Sequence, residues 1–117
     1  MSINRLDTSK RMSQAVVHGE TVYLAGQVAQ KAPGASIEEQ TLAILEQIDM
    51  LLGRSGSNKN KILSATIWLT SMDDFESMNT IWDEWVPEGN APVRACVESP
   101  RLASKSFNVE IGVIAAK

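Results

Sequence analysis

Three side chains suited to ligand binding or catalysis stand at alternate positions of one segment near the C-terminus. Arg94, Cys96 and Glu98 lie within Pro92 to Glu98, which is a strand candidate. Because side chains alternate between the faces of a strand, all three would share one face. A guanidinium can hold a carboxylate through two parallel hydrogen bonds, so this row suits a small organic acid. The alternative is a solvated Arg94–Glu98 ion pair, a common and individually weak feature.

The sequence lacks the residue patterns of several common metal-binding, phosphate-binding and catalytic sites. One histidine and one cysteine cannot form a His/Cys metal site, and no loop has the spacing of a calcium site. The sequence has no glycine-rich phosphate loop and no G-x-S-x-G motif. His18 falls in a predicted hairpin turn, where we interpret it as a solvated residue. The sequence therefore predicts no cofactor and no metal ion.

The composition is that of one ordinary globular domain. The 117 residues fit a single domain, 1–117, with 44% hydrophobic and 21% charged residues. A net charge of −3 disfavours nucleic acid and anionic membranes as partners. Cys96 is the only cysteine, so no disulfide can form within the chain. The first eleven residues contain no apolar signal core and no apolar run is long enough to span a bilayer, so we expect a cytoplasmic protein.

Two helices are expected. Ser36 and Glu39 form a capping box, behind which apolar residues recur at helical spacing from Ile37 to Leu52. This helix is expected to stop near Gly53, and a second one to start near Asp73. The second helix has an apolar stripe that we interpret as core, formed by Phe75, Met78, Trp82 and Trp85.

Five strands complete the prediction. The strand candidates are Ser13 to Val17, Thr21 to Ala25, Ile62 to Thr70, Pro92 to Glu98 and Phe107 to Ala115. The resulting order, β-β-α-β-α-β-β, predicts an α+β fold in which two helices pack on one face of a mixed sheet. The other face keeps apolar side chains that need cover, which points to oligomerisation.

Several motifs spread over almost the whole chain resemble one known family. They are Ser13-Gln14-Ala15-Val16, Val22-Tyr23-Leu24-Ala25-Gly26-Gln27, Asp73-Asp74-Phe75 with Met78-Asn79, Pro92-Val93-Arg94-Ala95-Cys96-Val97-Glu98, and Val109-Glu110-Ile111 with Ile114-Ala115. Together they resemble the RidA family, also called YjgF or endoribonuclease L-PSP, whose signature is close to P-x-R-x-x-V-E. Gly56-Ser57-Asn58-Lys59, Ala65-Thr66-Ile67 and Ala91-Pro92-Val93-Arg94 are most similar to its short YoaB-like branch.

The resemblance implies an assembly as well as a fold. Members of the family have a chorismate-mutase-like fold and form homotrimers, in which three sheets make an inner barrel with the helices outside. Their ligand clefts lie between neighbouring subunits. A trimer of this kind would cover the spare apolar sheet face.

The resemblance also implies an activity. The best-known members hydrolyse reactive enamines and imines, such as 2-iminopropanoate and 2-iminobutanoate, to 2-keto acids and ammonia without a cofactor. Arg94 stands at the position of the arginine that clamps the substrate carboxylate, and the backbone around Cys96 at the position that holds the substrate nitrogen. The positions expected to contact the ligand are Met12, Ala25, Gly26, Asn79, Arg94, Cys96 and Gly112.

Three polar groups of the archetypal members are missing. The glutamate thought to position the water is Gly112 here, the N-terminal tyrosine is Met12, and the hairpin serine is Ala25. Glu98 and Glu110 are the two carboxylates that could replace the lost base, since Glu110 should share a face with Gly112 about 7 Å along the strand. The lost glutamate also opens space for a larger ligand.

Two functions from different classes follow. The first is an imine or enamine deaminase, a hydrolase acting on C=N bonds. The second is a non-catalytic trimer that binds small carboxylate metabolites in its clefts, because the clamp is kept while the base is lost. The family's older ribonuclease label has little support from a sequence of pI 5.1 without a pair of histidines or a basic stripe.

Overall fold

The computed structural model describes all residues from Met1 to Lys117 and consists of one six-stranded sheet with two helices. Only β4 and β5 run parallel, and every other pair of neighbouring strands is antiparallel. The strand order across the sheet is β1-β2-β3-β6-β4-β5. The elements are β1 (Ile3–Leu6), β2 (Ala15–His18), β3 (Thr21–Leu24), α1 (Ile37–Arg54), β4 (Ile62–Leu69), α2 (Phe75–Trp85), β5 (Val93–Glu98) and β6 (Val109–Ala116). The predicted mixed sheet with two helices is confirmed.

Both helices begin within two residues of the starts predicted from the sequence. Ser36 Oγ accepts the backbone N–H of Glu39 at 3.1 Å, which satisfies one free donor at the start of α1. A short 3-10 turn, Met72–Asp74, leads into α2, and Ser71 caps this turn. Neither helix combines the length and the apolar character needed to cross a membrane.

The core lies between the helices and one face of the sheet. Alternate residues of the two longest strands, β4 and β6, point toward the helices and are buried. Ile44, Leu45 and Ile48 of α1 cover them, as the helical spacing predicted. The buried strand residues are Ala65, Ile67 and Leu69 of β4 and Val109, Ile111, Val113 and Ala115 of β6.

One strand was missed and the others differ at their ends by one or two residues. Strand β1 is exposed along most of its length, so it has no apolar alternation to reveal it. It is held by antiparallel pairing with β2, in which Ile3 lies opposite His18 and Leu6 opposite Ala15. An edge strand defined by backbone pairing alone leaves little trace in a sequence. His18 is exposed beside a glycine of positive φ, as expected for a turn.

The second face of the sheet is apolar and uncovered in the single chain. Tyr23, Ile114 and Val93 are 45%, 37% and 71% exposed, although they come from three different strands. They belong to one row across the sheet, since Tyr23 pairs with Ile114, Ile114 with Ser64, and Ser64 with Val93. The spare apolar face predicted from the sequence is therefore present.

A buried glutamine ties α1 to the loop that precedes β6. Gln40 Nε2 donates to Ala35 O and to Asn108 Oδ1, both at 2.9 Å. Gln40 Oε1 accepts the backbone N–H of Asn108 at 2.9 Å. All polar groups of this side chain are therefore satisfied inside the core.

We expect Gln40→Leu to lower the free energy of unfolding by about 2 kcal/mol, because the half-buried polar groups of Asn108 lose their partners. Urea denaturation at a fixed protein concentration measures the change. Gln30→Leu is the matched control, because Gln30 is exposed in a loop. Equal stability of the two variants would contradict the assigned role of Gln40.

Candidate ligand-binding site

Arg94 presents a guanidinium with no carboxylate partner. Its Nη1 donates to Asn79 Oδ1 at 2.8 Å. Its Cζ atom lies 5.8 Å from the ring centroid of Phe75 and 5.5 Å from that of Trp82. The residue is exposed, and the only ion pair in the structure joins Asp7 to Arg54. The two rings and the amide thus orient the guanidinium, while its other N–H groups stay available to a ligand.

The pairing of β5 with β4 decides which way Arg94 points. Arg94 is in register with Ala65, and Cys96 with Ile67, both of which face the helices. The side chains of Arg94, Cys96 and Glu98 therefore share the helix side of the sheet, as predicted. The predicted alternative, an Arg94–Glu98 ion pair, does not form. Instead Glu98 Oε1 accepts the backbone N–H of Met72 at 2.9 Å, at the start of the turn before α2.

The thiol of Cys96 is poorly suited to act as a nucleophile. Burial raises the pKa of this thiol, and the nearby Arg94 charge offsets only part of the effect. The thiol therefore stays protonated at neutral pH, whereas the thiolate is the reactive form.

A second group of predicted site residues lies on the opposite face of the sheet. Glu110 and Gly112 alternate with the buried residues of β6 and so point away from the helices. Glu110 lies against Gly26, so closely that a Cβ atom at position 26 would overlap the carboxylate. A larger residue at position 26 would displace the Glu110 carboxylate from its present position. Burial raises the pKa of Glu110, and this carboxylate has no hydrogen-bond or ion-pair partner in the chain.

Gly112 has no side chain at the position where the resemblance implies a glutamate, although a side chain would fit there. A Cβ atom added there would lie 3.6 Å from the Trp68 ring and 3.8 Å from the Cα of Gly26, which is ordinary van der Waals contact. No other carboxylate occupies this position. The face beside Gly26 therefore has one carboxylate, that of Glu110.

The predicted site residues form two separate groups in one chain. Met12 is exposed and borders the same cavity as Gly26 and Glu110. The backbone N–H of Ala25, next to Gly26, donates to Gln14 O at 2.9 Å. The first group, Asn79, Arg94, Cys96 and Glu98, lies beside α2 at the β5 edge. The second group is Met12, Ala25, Gly26, Glu110 and Gly112. Strand β4 separates the strands that carry Arg94 and Glu110, which also point to opposite faces.

Sequence reasoning missed a chain of three glutamines next to the second group. Gln27 Nε2 donates to Gln14 Oε1 at 2.9 Å, and Gln47 Nε2 donates to Gln27 Oε1 at 3.0 Å. Gln40 and Gln47 lie on the inward side of α1, so a polar residue within its apolar stripe was the available signal. The aromatic stripe of α2, predicted as core, has a second role, because Phe75 and Trp82 flank Arg94. No three His, Cys, Asp or Glu side chains gather as a metal site.

Comparisons with known proteins agree over the full chain. The family model described as endoribonuclease L-PSP matches residues 2–117. The RutC family protein YoaB of Escherichia coli is 43% identical over 116 residues, covering 99% of both chains. A RutC family protein of Haemophilus influenzae is 43% identical over 115 residues, covering 98% of both.

Solved structures give the same result. A YjgF family protein from Neisseria meningitidis has a TM-score of 0.95 at 41% identity, with 100% of this chain and 96% of that chain covered. An uncharacterised protein from Pseudomonas aeruginosa has a TM-score of 0.95 at 42% identity, with 99% of each chain covered. The resemblance inferred from the motifs, including that to the YoaB-like branch, is confirmed. On these matches and on the fold, the chain belongs to the RidA/YjgF family, the family that the matching model describes as endoribonuclease L-PSP.

Proposed function

We propose that this protein acts as a homotrimer that hydrolyses small 2-imino acids, such as 2-iminopropanoate and 2-iminobutanoate. In the reaction, R–C(=NH)–COO⁻ and water give R–C(=O)–COO⁻ and ammonia. An enamine substrate first tautomerises to the imine. No electron transfer takes place, so the reaction requires no redox cofactor.

The observation that carries the proposal is the free guanidinium of Arg94. It is oriented by Asn79 and two aromatic rings, it is exposed, and it has no carboxylate partner. A planar donor fork held in this way matches a carboxylate ligand. Binding the substrate carboxylate also fixes the adjacent C=N carbon, which is the atom that water attacks.

The proposed steps keep the atoms and charges balanced. Water adds to C2 of the imine, its oxygen forms the new C–O bond, and the nitrogen takes up a proton. The resulting carbinolamine then loses ammonia as the C–N bond breaks and the C=O bond forms. The backbone around Cys96 holds the nitrogen, as in the family, and the protonated thiol takes no part as a nucleophile.

The source of water activation differs from the archetype. Glu98 is committed to the backbone N–H of Met72 through one oxygen, and Gly112 has no side chain. Glu110 is unpaired, but it stands two residues along β6 from the position of the archetypal glutamate, so we assign it no part in activating the water. Small imines hydrolyse readily in water, and a confined water beside a clamped substrate supplies much of the needed acceleration.

The trimer brings the two groups of site residues together. Arg94 and Glu110 cannot meet within one chain, because they lie on opposite faces with β4 between their strands. A neighbouring subunit that covers the apolar face would place its own β5 edge near the Gly26–Glu110 group. This arrangement accounts both for the exposed apolar row and for the divided site.

We expect Arg94→Lys to reduce kcat/KM for 2-iminobutanoate by about 100-fold or more, although the positive charge is kept. Lysine cannot form the two parallel hydrogen bonds, each of which contributes about 1.5–3 kcal/mol when charged. The measurement is ammonia release while an amino-acid oxidase generates the imine. Arg101→Lys is the matched control, because Arg101 is exposed in a loop and the guanidinium bonded to Asn79 is that of Arg94. An Arg94→Lys variant that matches Arg101→Lys would exclude the clamp.

We expect Ile114→Asp to convert the trimer to monomers and to abolish imine hydrolysis. A charge in the centre of the apolar row would be buried without a partner in the assembly, which costs several kcal/mol. Sedimentation velocity measures the oligomeric state. Leu42→Asp is the control, because Leu42 is 50% exposed on α1 and should not affect assembly. Loss of assembly in the Leu42 variant alone would place the interface on the helices instead.

Gly112 favours a second candidate, a trimer that binds small carboxylates without turnover. The clamp is present while the archetypal water-positioning carboxylate is absent. Calorimetry with 2-oxobutanoate distinguishes the two functions. Arg94-dependent binding without any imine hydrolysis above the buffer rate would select the second candidate.

A further inference from the structure

A cavity of about 700 Å³ opens beside Gly26 and Glu110, and no step of the proposed reaction uses it. It lies between α1, the segment after β3, and β6. The residues that line it from α1 are Ala43, Glu46, Gln47, Met50 and Leu51. Its other walls include Asp7, Gln14, Gln27 and Lys31.

The cavity is continuous with the second group of site residues. Met12, Gly26 and Glu110 belong to that group and also line the cavity. A ligand held at this group therefore has open space in front of it. The side chains of 2-iminopropanoate and 2-iminobutanoate are a methyl and an ethyl group. These groups would fill only a small part of this cavity, whose volume is typical of pockets that bind drug-sized ligands.

One buried acceptor in the cavity wall, Gln47 Oε1, has no hydrogen-bond partner. The Nε2 atoms of Gln27 and Gln47 are both used within the protein, by Ala25 O at 3.0 Å and Val28 O at 3.0 Å as well as by neighbouring amides. Asp7 is neutralised by Arg54, with N–O distances of 2.7 and 2.9 Å.

The charges that remain are two carboxylates and one ammonium. Glu46 and Lys31 are exposed, whereas Glu110 is half-buried. None of the three is in an ion pair. The one half-buried charged group of the cavity is therefore the Glu110 carboxylate, which has no ion-pair partner. A cationic ligand would supply that partner.

We propose that this cavity receives the cationic side chain of a basic 2-imino acid, with Glu110 as its ion-pair partner. The proposal rests on the proposed function and names its substrate class, because the carboxylate and imine ends bind as described above. A guanidinium suits Glu110 best, since its planar fork can bind both oxygens of one carboxylate. Hydrolysis leaves the side chain unchanged and releases the guanidino 2-keto acid and ammonia.

Gly26 leaves room for the carboxylate of this ion-pair partner. The Glu110 carboxylate rests on the Cα of Gly26, where any larger residue would displace it. Glu110 lies against Gly26 and also lines the cavity, so it stands at the junction between the imine end of the proposed site and the cavity. This position makes it a specificity residue that contacts the side chain rather than the reacting carbon.

Matched ligand pairs that differ in charge but hardly in shape test the proposal. For binding, the pair is 5-guanidinopentanoate and 5-ureidopentanoate, which cannot be turned over. For kinetics, the pair is the imines that an amino-acid oxidase produces from arginine and citrulline. Imines of ornithine and lysine are avoided, because their free amines cyclise onto the reacting carbon.

The wild-type trimer should bind the guanidino acid at least about tenfold more tightly than the ureido acid, as measured by calorimetry. It should show the same preference in kcat/KM for the arginine imine. Glu110→Gln should reduce both ratios to near one. Glu88→Gln, which removes the same charge from an exposed position outside the cavity, should leave both ratios unchanged.

The outcomes separate this inference from the proposed function. Equal binding of the two acids by the wild type would overturn the inference, whatever the imine kinetics show. Slower hydrolysis of both imines by the same factor in Glu110→Gln would overturn it too, because that pattern marks a water-positioning residue. Failure to hydrolyse any imine, 2-iminobutanoate included, would overturn the deaminase function, while a preserved binding preference would still support the cation-binding cavity.

Discussion

The parallel pairing of β5 with β4 is the constraint on which the site depends. It sets Arg94 opposite Ala65, and so turns the guanidinium toward α2 instead of the apolar face. There Asn79 accepts one N–H, and the rings of Phe75 and Trp82 flank the charge. A shift of one residue in this register would move Arg94 to the other face and bring Ala95 to α2. The orientation of the Arg94 guanidinium thus depends on strand register as much as on residue type.

The two faces of the sheet differ in what covers them. One face packs on the helices and gives the chain its core, while the other stays apolar and exposed. The groups suited to hold a ligand lie at the margins of both faces, with Arg94 at the β5 edge and Glu110 beside Gly26. A single chain therefore contains the parts of a site without assembling it. Oligomerisation would cover the apolar face and complete the site in one event.

Periodicity and capping predicted the helices, five of the six strands within two residues of their ends, and the shared face of Arg94, Cys96 and Glu98. The helix end near Gly53 was also correct to within one residue. Pairing between distant segments was not predictable in this way, which is why the exposed strand β1 and the engagement of Glu98 with Met72 were missed. The cavity beside Glu110 was equally hidden, because it is formed by segments that are far apart in the sequence.

The family motifs predicted that the site keeps the arginine, as Arg94, and has Gly112 in place of the glutamate. The structure shows which groups surround these two positions. Arg94 is free of ion pairs, and Glu110 is the unpaired carboxylate next to the altered position. The most direct test is a crystal structure of the protein with 2-oxobutanoate bound. The account predicts a trimer in which the ligand carboxylate lies about 3 Å from the Arg94 guanidinium nitrogens, with Gly26 and Glu110 of a neighbouring subunit across the same cleft. An Arg94 paired with a protein carboxylate in the assembly, or a keto acid bound away from it, would contradict the account.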